Sequence, residues 1–151
     1  MAKRKKTRLP AALCLILPVF WLGLLVAISG IEAPLKFLAP GITIPLGLGI
    51  GRLVFTALNI VEFVVAALLF VAARNAAAPK PFRTGLYTAI GLLVFKAILI
   101  RPFLNARTNA VIAGTGETGS IWHWFYMGAD TALGLVLIFL VVRAAQRWIV
   151  P

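Results

Sequence analysis

The 151-residue chain holds one cysteine, one histidine and four acidic residues. A lone Cys14 excludes a disulfide framework within one chain, and there is no C-x-x-C for zinc or redox work. With His123 as the single histidine, an intrachain metal site of Cys and His ligands is excluded too. No cofactor is indicated: a haem or quinone held by His123 would need a second ligand from another chain or an exogenous base. No N-x-S/T sequon occurs. Charge itself is scarce, at 13% of residues against about a quarter in soluble domains.

What the chain has instead is apolar length. It is 62% hydrophobic with a mean hydropathy of +1.01, which marks a membrane protein, and its length allows about four spans of about 20 residues each. The net charge of +11 does not form a nucleic-acid patch interleaved with exposed aromatics. The basic residues fall at the ends of apolar runs, the signature of positive-inside anchoring, so no nucleic acid is expected as partner.

The spacing predicts an all-α, polytopic four-helix transmembrane bundle, a single domain over 9–146. A basic cytoplasmic N-terminus, 1–8, precedes it and a cytoplasmic tail, 147–151, follows. Helices are predicted at about 9–31, 46–73, 85–103 and 122–143. Ala27 and Ser29 are spaced like a signal-peptide cleavage site, but the apolar run is longer than a signal core and contains Pro18, predicted to kink the helix, and Trp21. Retention of helix 1 fits better, with cleavage left open. Cys14 is no acylation site, because Leu13 precedes it.

Residues 32–46 carry Glu32, Pro34, Lys36, Pro40 and Gly41 between apolar side chains. They read either as an interfacial or re-entrant elbow or as a hydrophobic loop on the headgroups. The glycines at 47, 49 and 51 follow no strand, so they suit a close helix contact better than a phosphate loop. Residues 73–84 form the second cytoplasmic connection. Pro102 is predicted to end helix 3, leaving 104–121 as the longest loop. Counting Lys and Arg by side places both termini in the cytoplasm, and Trp122, Trp124, Phe125 and Tyr126 form an outer aromatic belt.

Charges inside a span cost about 3 kcal/mol each at mid-bilayer, so they face the bundle and find partners. Arg52, Asn59 and Glu62 share one face of helix 2, and His123, Tyr126 and Asp130 share one face of helix 4. Counting inward from edges near residues 48, 103 and 124, Arg52, Lys96 and Asp130 lie about 6, 10 and 9 Å deep and share a layer. Glu62, about 21 Å deep, lacks an obvious cation there, with a Glu62–Lys96 pair as the runner-up; Asp130 is expected to pair with Arg52, with Lys96 as the other candidate partner. A Ser120–His123–Asp130 triad is excluded, since the rise from 123 to 130 is about 10 Å. The sequence points away from an enzyme.

Several stretches resemble a family of small four-helix bacterial membrane proteins of uncharacterised function, similar to the transmembrane-protein-205 type. They are E-A-P-L-K-F at 32–37, A-P-G at 39–41, G-R-L-V-F at 51–55 with Asn59 and Glu62, R-x-x-x-x-I-A-G from Arg107, and S-x-x-H-x-x-Y-x-x-x-D from Ser120 to Asp130. The resemblance implies the four-helix fold and a glutamate where Asp130 stands. It also implies a lysine a turn later, where this chain has Leu133 and Gly134. It implies no reaction. Two functions are expected: a transport or permeation component, as a homo-oligomer or in a larger complex, binding a small solute or ion at the polar seam; or a non-catalytic accessory subunit of an inner-membrane complex.

Overall fold

The computed structural model describes residues 3–117, 119 and 121–149. Every regular element among them is helical. Four helices are long and apolar enough to cross a membrane: α1, which begins at Lys3 and crosses over Arg8–Leu38; α2, Ile44–Asn75; α3, Lys80–Ile112; and α4, Ile121–Trp148. The chain is thus an all-α multi-pass membrane protein. Its outward side chains include Leu53, Val64, Leu135 and Val142, an apolar exterior suited to lipid.

Predicted boundaries move on every helix, α4 running to Trp148 instead of 143. Helix 1 does not stop at 31 but runs to Leu38, leaving 39–43 as the turn into α2, where the Thr43 hydroxyl accepts from the Leu46 N–H at 3.3 Å. The elbow is thereby mostly helix: Glu32, Pro34 and Lys36 lie in α1, and Pro40 and Gly41 lie in the turn, Gly41 at φ +80°. The connection after α2 shrinks to 76–79, and α3 passes through Pro102 to Ile112, so the connection to α4 begins at Ala113.

One device carries α1 past Pro34 and α3 past Pro102, whereas Pro10 and Pro18 sit within regular α-helix. A proline lacks an N–H and crowds the carbonyl four residues back, which normally ends or kinks a helix. Here a π-helical segment precedes the proline, Val26–Glu32 before Pro34 and Phe95–Ile100 before Pro102. The residue just ahead of each proline reaches back five residues instead of four: the Ala33 N–H donates to the Ile28 carbonyl, and the Arg101 N–H to the Lys96 carbonyl. The helix absorbs its proline by widening one turn.

The two segments belong to a larger correspondence. Pro34 and Pro102, and Glu62 and Asp130, share the same separation, since 102 − 34 and 130 − 62 are both 68. At that offset Gly-Leu-Leu-Val at 23–26 recurs at 91–94, and the two π segments end in step, at 32 and 100. Burial follows the same register. Buried Cys14, Leu17, Trp21 and Leu25 on α1 match buried Phe82, Gly85, Ala89 and Leu93 on α3. Buried Leu58, Glu62, Val65, Leu69 and Ala72 on α2 match Tyr126, Asp130, Leu133, Leu137 and Leu140 on α4. The two helical hairpins thus share one 68-residue register of burial, proline and π segment. Packing agrees: α1 rests on α2 and α4, and α3 rests on α4 and α2, as two hairpins related by an approximate two-fold would.

Lipid gives helices no hydrophobic reason to associate, so packing and interhelical hydrogen bonds must hold the bundle. The part of the bundle nearer the 76–79 connection is apolar packing of Leu69, Phe82, Leu86, Leu137 and Leu140. Gly47 and Gly51 are a contact face, as expected: a Cβ at Gly47 would strike the Phe37 ring, and one at Gly51 would meet Lys36 Nζ at 2.9 Å.

A buried ionic network as candidate functional site

Lys96 sits on the π segment of α3 with its side chain fully buried. Its Nζ donates to Glu62 Oε1 at 2.8 Å and to Asp130 Oδ1 at 2.5 Å, and lies 5.4 Å from the centre of the Tyr126 ring. An ammonium carries three N–H donors. Two here meet carboxylates, and the face of an aromatic ring, which attracts cations, closes another side.

Each carboxylate is also held by α1. Trp21 Nε1 donates to Glu62 Oε1 at 3.0 Å, and the Ser29 hydroxyl donates to Asp130 Oδ2 at 2.6 Å. Ser29 lies on the other π segment, so both widened turns deliver a donor to the network. Bulges of this kind gather at functional sites. The hydrogen bonds cross between hairpins in both directions: α1 reaches Asp130 on α4, and α3 reaches Glu62 on α2.

A second cation stands one turn outward. Arg101, directly before Pro102, donates to the Phe55 carbonyl at 2.5 Å, the Arg52 carbonyl at 3.1 Å and the Thr56 hydroxyl at 2.6 Å, all on α2. The Asn59 amide links the two layers. With its nitrogen toward Glu62 it donates to Oε2 at 3.0 Å and to the Tyr126 hydroxyl at 3.1 Å, while its oxygen accepts from Arg101 at 2.6 Å. Two carboxylates and two cations make the network neutral overall. No buried side-chain nitrogen or oxygen among the described residues lacks a partner.

Of the seven expected seam residues, the structure joins Asn59, Glu62, Lys96, Tyr126 and Asp130 and leaves Arg52 and His123 outside. Arg52 is exposed and donates to Asn109 Oδ1 at 2.5 Å, so the expected Arg52–Asp130 pair does not form. His123 shares a helical face with Asp130 but lies exposed in the first turn of α4. Glu62 does have a cation, and it is Lys96. Depth counted from helix ends fails because those ends are not level: from Ile44, Ile112 and Ile121, Glu62, Lys96 and Asp130 lie about 27, 24 and 14 Å in, yet the three meet.

Trp21, Ser29 and Arg101 were missed. A tryptophan in an apolar run needs a partner for its N–H, which was the available signal for Trp21. Ser29 resembles part of a cleavage signal, and Arg101 lies one residue before Pro102, where helix 3 is predicted to be ending but in fact continues. Glu32 and Lys36 pair with each other at 3.2 Å along α1, and Lys36 Nζ lies 5.6 Å from the Phe55 ring. Ser120 of the excluded triad, like Met1, Ala2, Val150 and Pro151 of the termini, lies outside the described residues. Among the described residues no group of three His, Cys, Asp or Glu side chains could hold a metal. No family model, curated protein or solved structure matches the chain.

Proposed function

We propose that this protein is a transport or permeation component of the cell (inner) membrane. Both of its termini lie in the cytoplasm, it works as a homo-oligomer or within a larger complex, and it binds a small solute or ion at the buried network. One observation carries the reading: an ammonium within the span, 2.8 and 2.5 Å from two carboxylates on two other helices. Each intramembrane charge costs about 3 kcal/mol to insert, and such groups mark ion and proton pathways. Four helices alone enclose too little volume for a pore, which favours an oligomer. Orientation follows from the basic residues, which cluster at the N-terminus, at Arg74, Lys80 and Arg83, and at Arg143 and Arg147.

Purified protein in liposomes is expected to support a flux of ions or small solutes that Glu62→Gln and Asp130→Asn each lower at least about tenfold, the cost of one charge-assisted hydrogen bond. Flux unchanged by both substitutions removes the network from any transport mechanism.

The full satisfaction of the network supports a second reading, in which the charges only staple helices and the protein is an accessory subunit. A stoichiometric partner retained in mild detergent, with no flux, selects it.

A further inference from the structure

The two carboxylates that grip Lys96 are repeat-equivalent, Glu62 in the first hairpin and Asp130 in the second. The ammonium therefore sits at the junction of the two repeat units, where repeat-built membrane proteins place the ligands they carry. The lysine has no counterpart: position 28, its equivalent on α1, is Ile28. One unit alone supplies the cation, while the anionic cradle is made by both.

We infer that the position of the Lys96 ammonium is a cation site formed by the two repeats, selective for ammonium and primary alkylammonium ions, with the lysine as its tethered occupant. Resting on the transport reading above, the inference names the ligand class for that reading. The chemistry favours ammonium over an alkali ion. The occupant's contacts are two directed N–H···O bonds and an aromatic face 5.4 Å away. A donor cation satisfies such contacts, whereas a hard ion requires several oxygen ligands. Trp21 and Ser29 hold the two carboxylates from the α1 side, so the cradle does not depend on Lys96 for all of its order.

Removing the tether tests the site. Lys96→Ala deletes a three-carbon chain with its ammonium, so n-propylammonium replaces the lost atoms one for one. In detergent, the full-length variant is expected to gain about 3 °C or more in Tm from n-propylammonium at tenfold excess over its Kd, with a smaller gain from ammonium. n-Propanol, of the same shape without charge, and tetramethylammonium, which has no N–H, are expected to give no gain. The gain is also expected to vanish in E62Q/K96A/D130N. If K96A does not fold alone, extraction in n-propylammonium is expected to recover monodisperse protein where tetramethylammonium does not.

Three results would each overturn the inference: no gain and no recovery with n-propylammonium, an equal gain with n-propanol, or an equal gain with sodium. Because the readout is binding, it separates from the transport reading. Binding without flux in the wild-type protein would leave the site standing and end transport, and flux without binding would do the reverse.

Discussion

The first hairpin, α1 with α2, and the second, α3 with α4, share a burial register, a proline with its π segment and a central acid, yet differ in the chemistry placed on that frame. The first contributes Trp21, Ser29, Asn59 and Glu62 to the network, one charge and three neutral groups; the second contributes Lys96, Arg101, Tyr126 and Asp130, two cations and one anion. Neither half is neutral and the pair is. Within a bilayer, where each charge is costly and apolar contact gives no association by itself, that complementarity makes the two halves require each other. Side-chain size differs at equivalent positions too: Trp21 has Ala89 as its equivalent, and Cys14 and Leu17 have Phe82 and Gly85 as theirs.

The largest break in this comparison is Lys96→Met. It strands two buried carboxylates, and the bundle is expected to lose about 3–5 kcal/mol, the cost of removing one partner from a buried ion pair, read by thermal or denaturant unfolding in detergent. Next come the equivalent leucines Leu69 and Leu137, each fully buried. Leu69→Ala and Leu137→Ala are expected to cost about 2 kcal/mol each and to agree within about 1 kcal/mol. A large disparity between them would show that the repeat does not extend to the packing.

The smallest effects sharpen the comparison at the prolines. Pro34→Ala and Pro102→Ala both permit a regular helix, which turns the widened segment and mis-aims the group it carries. Pro102→Ala is expected to cost about 1–2 kcal/mol and Pro34→Ala about 1 kcal/mol, because Lys96 makes two charged hydrogen bonds to carboxylates and Ser29 makes one. Equal costs, or stabilisation by Pro102→Ala, would contradict the role given to the π segment.

Much of the fold was legible because lipid makes it so: four long apolar runs with basic ends allow few other solutions. The far ends of helices 1 and 3 were not, and those two errors came from reading Pro34 and Pro102 as stops. That rule assumes regular α-helix on either side; a turn bonded five residues back removes the clash. The network was half legible. Glu62, Lys96 and Asp130 stand out as charges in apolar runs, but their partners depend on relative helix depth, and depth counted from helix ends separates Glu62 from Lys96 when α3 is ended at 103 and Asp130 from Lys96 when it is ended at 112. The repeat was in the letters throughout, in Gly-Leu-Leu-Val at 23–26 and 91–94 with a proline eight residues after each valine. Apolar residues recur in any membrane helix, so the agreement gained meaning only when burial and the π segments fell into the same register.

The two hairpins differ at their turns. The first turns over within 39–43, whereas the second holds α3 helical to Ile112. That extension carries Asn109, the partner of Arg52, so even the divergent part ties one hairpin to the other.

The central claim is that one ammonium is shared by two equivalent carboxylates, one from each hairpin. Double-mutant cycles test it most directly, pairing Lys96→Met with Glu62→Gln and, separately, with Asp130→Asn, and reading unfolding free energy in detergent. Both cycles are expected to give coupling of about 1–3 kcal/mol, similar in size. Coupling of Lys96 to one carboxylate, with none to the other, would contradict the shared site.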